Sequence, residues 1–189
     1  MSLTRIMGVL TLFLASVGPG LADDAVKLGF ITKFPVPFYT TMEDAAKACA
    51  AAYPGVEINY GQGTGATDIE GQIALIESIV TQGVQGIAIT PVNPTVAQAL
   101  DKAVAAGIKV VLMDNSIPDW ASQTALATTN NYEAGRIAGV EDASLAQYPA
   151  KMAELGVDTL VSALGGGTVD RMIDSDAALV TPANMGDFK

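Results

Sequence analysis

The sequence predicts an α/β fold in which helices cover both faces of a mostly parallel sheet, a three-layer doubly wound architecture. Its apolar strand segments are continuous rather than alternating, as in "IKVVLMD" over 108–114, which is typical of strands buried on both faces. These segments alternate with amphipathic helical segments through short connections, the pattern of βαβ units. The 189 residues suffice for one well-buried domain of this kind and are few for two.

Five predicted strands are short apolar runs bounded by turn-forming residues. In chain order they occupy 26–32, 55–60, 86–90, 108–114 and 124–129. Parallel strands end at a common edge of the sheet, and ligands bind beyond the carboxyl ends of such strands in doubly wound folds. The residues that follow each strand are therefore the candidates for a binding site.

Helical spacing of apolar residues marks the segments between these strands. The first helix is predicted to follow Pro37. The second helix is predicted to begin after Asp68, its N-cap, and to end at Gly83. A third helix ends at Gly107. Past residue 149 a further helix precedes three glycines, and a last short strand is predicted over 177–181.

The first 22 residues predict a secretory signal peptide, cleaved after Ala22. Arg5 precedes an apolar run over 6–17, and a small-residue site, Gly-Leu-Ala, ends the segment. The run is shorter than the roughly 20 apolar residues that a spanning helix needs. The alternative is a buried N-terminal helix. Export to the periplasm is the prediction.

Composition excludes several classes of function. A net charge of −10 disfavours nucleic acid and anionic membrane surfaces as partners. The absence of histidine removes Ser-His-Asp triads, Cys-His dyads and histidine metal sites. Cys49 is the only cysteine, so an intramolecular disulfide is impossible. Since no nucleophile has an evident base, we predict a binding protein without enzymatic activity and without a metal.

One stretch, "GQGTGATD" over 61–68, resembles a nucleotide-binding motif. Gly61, Gly63 and Ala66 fit G-x-G-x-x-A between a strand and a helix. The dinucleotide fingerprint also needs an acidic residue about 20 positions later, where this sequence has Thr90. A turn that lets a helix pack closely explains the glycines better, so no cofactor is predicted. A flavodoxin-like protein using Gly61–Gly65 stays as the alternative from the nucleotide-binding class.

Aromatic and polar residues follow two of the predicted strands. Phe38 and Tyr39 could stack on the C–H faces of a sugar, or one ring could simply pack on a helix. Asp114 can accept two charge-assisted hydroxyl hydrogen bonds, and Asn115 can both donate and accept. The alternative for this pair is a turn.

A second group of polar residues extends the candidate site. Asn131 and Gln147 supply amide donors and acceptors, and Lys33 and Asn93 follow the first and third strands. Trp120 could cover the cleft or pack against the domain.

Together these motifs resemble the periplasmic sugar-binding proteins of ABC transporters, the ribose/galactose-binding type with the type I periplasmic binding fold. "KFPVPFYTTMEDAAKA" is similar to that family's first strand–helix turn, and "AAGIKVVLMDNS" to its fourth strand. The resemblance implies a Rossmann-like lobe, a monosaccharide ligand, an ABC permease in the membrane as partner, and no cofactor. It implies ligand contacts by Phe38, Tyr39, Asp114, Asn115 and Gln147.

The resemblance also implies a missing segment. "ALATTNNYEAGRIAG" and "ASLAQYPAKMAELG" are similar to the outgoing and return hinge crossings, which most of a second lobe separates in the family. Here they nearly adjoin at Val140, so on the order of 100–150 residues would be absent. We predict a single lobe in 23–189, built from 23–129 and 147–181.

The residues 130–146 would then form a shortened hinge. Sugar binding would be impaired, and the uncovered cleft could drive self-association. A ligand-free interaction or sensor domain is the alternative function.

Overall fold

A six-stranded parallel sheet forms the centre of the computed structural model, which describes residues 25–139 and 144–188. The strand order is β2-β1-β3-β4-β5-β7. A second sheet pairs β6 with β8 in antiparallel orientation. The strands are β1 (Val26–Thr32), β2 (Val56–Gln62), β3 (Gly86–Ile89), β4 (Lys109–Met113), β5 (Ala125–Thr128), β6 (Ser144–Gln147), β7 (Met172–Asp174) and β8 (Ala177–Val180).

Helices pack on both faces of the main sheet, as the continuous apolar strands predict. In β4, Val110 and Leu112 join the core shared with α2 and α3, whereas Val111 and Met113 join the core shared with α1 and α5. The predicted three-layer α/β fold is thus confirmed. The helices are α1 (Pro37–Ala50), α2 (Ile69–Thr81), α3 (Ala97–Ala105), α4 (Asn131–Ala138) and α5 (Pro149–Leu164), with 3-10 turns at Pro94–Val96 and Met185–Asp187.

Besides the strand β6 and the 3-10 turns, two elements of the described chain were not predicted from the sequence. The strand β7 has only three residues, none of them buried, and pairs with β5 at the sheet edge. The helix α4 lies in a segment interpreted only as a hinge crossing; Asn130 caps it by accepting a hydrogen bond from the Glu133 N–H at 3.2 Å. The strand predicted over 177–181 is confirmed as β8, but it pairs with β6 outside the main sheet.

Two sequence predictions fall on residues that are not described. The proposed signal peptide, 1–22, and the junction at Val140 both lie outside the described residues. In the part of the chain that the structure describes, none of the helices is long and apolar enough to cross a membrane.

The predicted cap of α2 is confirmed, and it makes stability depend on pH. The Asp68 carboxylate accepts hydrogen bonds from the Thr64 hydroxyl at 2.6 Å, the Thr64 N–H at 3.0 Å and the Gly71 N–H at 3.0 Å. These bonds, the Thr64 hydroxyl first, lower the pKa of Asp68 below its ordinary value of 3.8. A carboxylate whose folded pKa is depressed stabilises the fold above the ordinary value and loses that contribution as pH falls through the folded pKa.

Asp68→Ala should therefore lower the melting temperature at neutral pH, and the difference from the parent chain should shrink in acid. Asp68→Asn is the matched control, because an asparagine still caps the helix but does not titrate. Thermal melts followed by circular dichroism across acid pH check this. A difference between parent chain and alanine variant that stayed constant with pH would contradict it.

Candidate functional site

The carboxyl ends of β1, β4 and β5 bring the predicted polar residues together at one edge of the sheet. Lys33 follows β1 and Asp114 follows β4, and the Lys33 Nζ lies 3.4 Å from Asp114 Oδ2. The Lys33 ammonium also donates a hydrogen bond to Asn115 Oδ1. Three predicted site residues therefore form one cluster, as expected from the common edge of parallel strands.

The backbone fixes Asp114 in this position. Its φ of 63° places it in the left-handed region, which aspartate tolerates better than most residues. Its N–H donates to the Ala127 carbonyl at 3.0 Å, and its own carbonyl accepts from the Thr128 hydroxyl at 2.7 Å. The carboxylate is consequently held at the sheet edge between β4 and β5.

Tyr39 supplies its hydroxyl to the cluster. The hydroxyl donates to Asp114 Oδ2 at 3.4 Å, and the ring is buried, with 6% of its surface exposed. Burial, and then the charge and hydrogen bond of Asp114, raise the pKa of Tyr39 well above its ordinary value. The hydroxyl therefore remains a neutral donor, and the buried ring does not present the stacking face predicted for it.

Phe38 is the aromatic residue that faces open space. It packs edge-to-face on Tyr39, with ring centroids 5.3 Å apart, and Phe34 packs on Tyr39 at the same distance. Phe38 is only partly buried and lines a cavity, whereas none of the cluster residues Lys33, Tyr39, Asp114 and Asn115 lines it. Of the two predicted stacking residues, only Phe38 lines the cavity.

The cavity beside Phe38 has a volume of about 250 Å³. It brings Phe38 together with the two predicted amides, and Gln147 Nε2 donates to Asn131 Oδ1 at 3.4 Å. Thr129 also lines the cavity but was not among the predicted site residues. It is buried, and its hydroxyl lies 3.2 Å from Ser175 Oγ. Its place at the end of a predicted strand was the available signal. The lining residues are Phe38, Thr129, Asn131, Ala134, Leu145, Gln147 and Ala177.

Two candidate residues have other partners. Asn93 caps the 3-10 turn, since its Oδ1 accepts from the Thr95 N–H at 3.0 Å. The Trp120 indole N–H donates to Asp101 Oδ1 on α3 at 2.7 Å, and its ring packs against the α2–α3 core. Local turn formation and packing, rather than the cleft, account for these two side chains.

The glycine-rich loop between β2 and α2 serves close packing. A Cβ at Gly61 would lie 3.2 Å from the Leu75 side chain of α2, and one at Gly63 would collide with the Lys33 carbonyl oxygen. The Asp68 carboxylate already occupies the N-terminus of α2, where a phosphate would bind. The flavodoxin-like alternative is disfavoured on this ground. Among the described residues, no cluster of three His, Cys, Asp or Glu could hold a metal ion.

A comparison against known families gives a match over most of the chain. Residues 29–167 match the model of the periplasmic binding protein domain. The chain belongs to this family. The match includes β2 to β5 and the last four residues of β1, together with Lys33, Phe38, Tyr39, Asp114 and Asn115. The resemblance found in the sequence is thereby confirmed at the level of the family.

Known periplasmic binding proteins give a partial sequence match and a close structural one. The multiple sugar-binding periplasmic receptor ChvE of Rhizobium radiobacter is 30% identical over 122 residues, which are 63% of this chain and 33% of the receptor. The chain thus spans about a third of that relative's length.

Two solved structures share the fold. One is a carbohydrate transporter solute binding protein from Agrobacterium radiobacter in complex with D-arabinose, with a TM-score of 0.78, 16% identity, and coverage of 88% of this chain and 97% of that chain. The other is an ABC transporter solute binding protein from Agrobacterium vitis with bound D-fucose, with a TM-score of 0.78, 16% identity, and coverage of 84% and 96%.

Proposed function

We propose that this chain is a sugar-binding component of an ABC import system and captures a monosaccharide in the periplasm without catalysis. The carrying observation is the cluster of Lys33, Tyr39, Asp114 and Asn115, which Tyr39 links to the cavity-lining Phe38. The family and the sugar-bound structural neighbours support the same class of ligand.

The site residues suit a neutral polyhydroxylated ring. Phe38 would pack against the C–H face of the sugar, while Asp114 accepts hydrogen bonds from its hydroxyls. Asn115 and Gln147 can each donate and accept, so they can pair with hydroxyls in either sense. Lys33 and Asp114 compensate each other's charge, which favours an uncharged ligand over a charged one.

Convergence of the aromatic and acidic residues also favours a ligand-binding function over a ligand-free interaction or sensor domain. The latter would not need Phe38, Tyr39 and Asp114 as neighbours at one edge of the sheet. Here Tyr39 contacts both of the others, at 3.4 Å to the Asp114 carboxylate and 5.3 Å between ring centroids to Phe38.

We further propose that this chain lacks most of the second lobe that would close over the sugar. Only five residues, 139–143, separate α4 from β6, and the match to the ChvE receptor covers 33% of that protein. The lobe would consist of 23–129 and 147–181, with 130–146 as a shortened hinge. An open half-site leaves the sugar in contact with water, so affinity should be reduced. The uncovered cleft would favour self-association, and the permease would be the membrane partner.

Titration of the purified chain with D-arabinose and D-fucose tests this proposal. We expect saturable binding with a Kd of about 1 mM or weaker, measured by saturation-transfer NMR. Low-micromolar binding by a monomer would contradict the loss of the closing lobe. Failure of a panel of aldoses to give any saturable signal would contradict sugar binding.

A further inference from the structure

A second cavity adjoins the candidate sugar site. Its volume is about 260 Å³, and it lies between α4 and the two-stranded sheet of β6 and β8. It shares four lining residues with the cavity beside Phe38, so the two spaces are neighbours. The shared residues are Thr129, Ala134, Leu145 and Ala177.

One part of the lining of this second cavity is apolar. Ile137 of α4, Leu145 of β6 and Leu179 of β8 line it. Ile137 is 44% exposed, so an aliphatic side chain meets water inside a concave space next to a polar site. Covering such a wall with an apolar group is favourable in proportion to the area removed from water.

The charges around the second cavity disfavour an anion. Among the described residues that line it, three are carboxylates and none carries a positive charge. Glu133 pairs with Arg136 at 2.7 Å, and Asp176 pairs with Lys151. Asp174 accepts hydrogen bonds from the backbone N–H groups of Asn130 and Asp176, at 3.1 and 2.9 Å. A neutral group would enter without opposing these charges.

We propose that the chain binds the monosaccharide most tightly as part of a glycoside, in which the sugar carries a neutral apolar group in glycosidic linkage. The sugar ring lies beside Phe38, and the apolar group enters the cavity of Ile137, Leu145 and Leu179. This inference rests on the proposed sugar-binding function and specifies the class of its ligand.

Comparison of free and glycosylated probes tests the inference. We expect phenyl D-arabinoside or phenyl D-fucoside to bind about ten-fold more tightly than the matching free aldose, because a half-open cavity buries part of the ring. In Ile137→Gln this ratio of affinities should fall to about one. Tyr132→Gln is the matched control: it makes the same kind of change on the same helix, where Tyr132 is 80% exposed and lines neither cavity. It should retain the ten-fold ratio.

The outcomes separate this inference from the proposed function. Aldoses and phenyl glycosides binding equally, or a ratio that Ile137→Gln does not change, would overturn the glycoside inference alone. Binding of phenyl glycosides without any binding of free aldoses would overturn the monosaccharide function. It would support the proposed binding of an apolar group in the cavity of Ile137, Leu145 and Leu179. Failure of both probe classes to bind would overturn both proposals.

Discussion

Replacing Asp114 by asparagine should weaken sugar binding by about 10- to 100-fold. The carboxylate is the acidic acceptor of the Lys33 cluster, and hydrogen bonds to a charged group contribute more than those between neutral groups. The substitution also leaves the Lys33 ammonium, 14% exposed, without its carboxylate partner. Saturation-transfer NMR with D-arabinose and D-fucose measures the loss, which should remove the signal at millimolar sugar.

Asp119→Asn is the matched control for this experiment. Asp119 also has a left-handed backbone, with a φ of 58°, so both variants place asparagine in the same conformation. Asp119 is exposed, and it is not part of the cluster of Lys33, Tyr39, Asp114 and Asn115. The control should bind sugar as the parent chain does. Equal sugar affinities of Asp114→Asn and the parent chain would show that Asp114 does not contribute to sugar binding.

Phe30→Ala should lower the free energy of unfolding by about 3–5 kcal/mol. Phe30 is 1% exposed and packs in the core between the main sheet and the helices α1 and α5. Truncation removes buried apolar surface and leaves a cavity that the surrounding strands cannot fill. This loss is a large share of the roughly 5–15 kcal/mol that stabilises a typical domain.

Urea unfolding followed by circular dichroism gives the free energy of unfolding for parent and variant. Tyr132→Ala is the control, because this aromatic side chain is 80% exposed and its loss should change stability by less than about 0.5 kcal/mol. A cost of Phe30→Ala no larger than that of the control would show that β1 is not central to the core.

Local patterns in the sequence were enough to predict most of the fold. The strand β1 was predicted at its observed bounds, and the Asp68 cap of α2 was predicted with its partner helix. Both depend on residues close together in the chain: a continuous apolar run in one case and a side chain three positions from its donor in the other. The short strand β7 has no such pattern, because none of its residues is buried and it is held by its pairing with β5.

The site was predictable in outline for the same reason. Parallel strands share an edge, so residues after β1 and β4 were expected together, and Lys33 and Asp114 do meet although 81 positions separate them. The sequence could not distinguish among polar residues at that edge. Asn93 bonds to its own turn and Trp120 to Asp101, because each has a nearer partner than the cleft.

Composition, apolar periodicity and strand-end chemistry therefore specify the fold class, the sheet edge that carries the candidate site and several of the polar residues that meet there. The tertiary structure decides which side chains at that edge are buried and which line a cavity. It buries the Tyr39 ring, whereas Phe38 lines a cavity. It also places two cavities side by side, with residues of α4, β6 and β8 lining both. Those outcomes depend on packing between segments distant in the chain, and no local pattern records how two such surfaces meet.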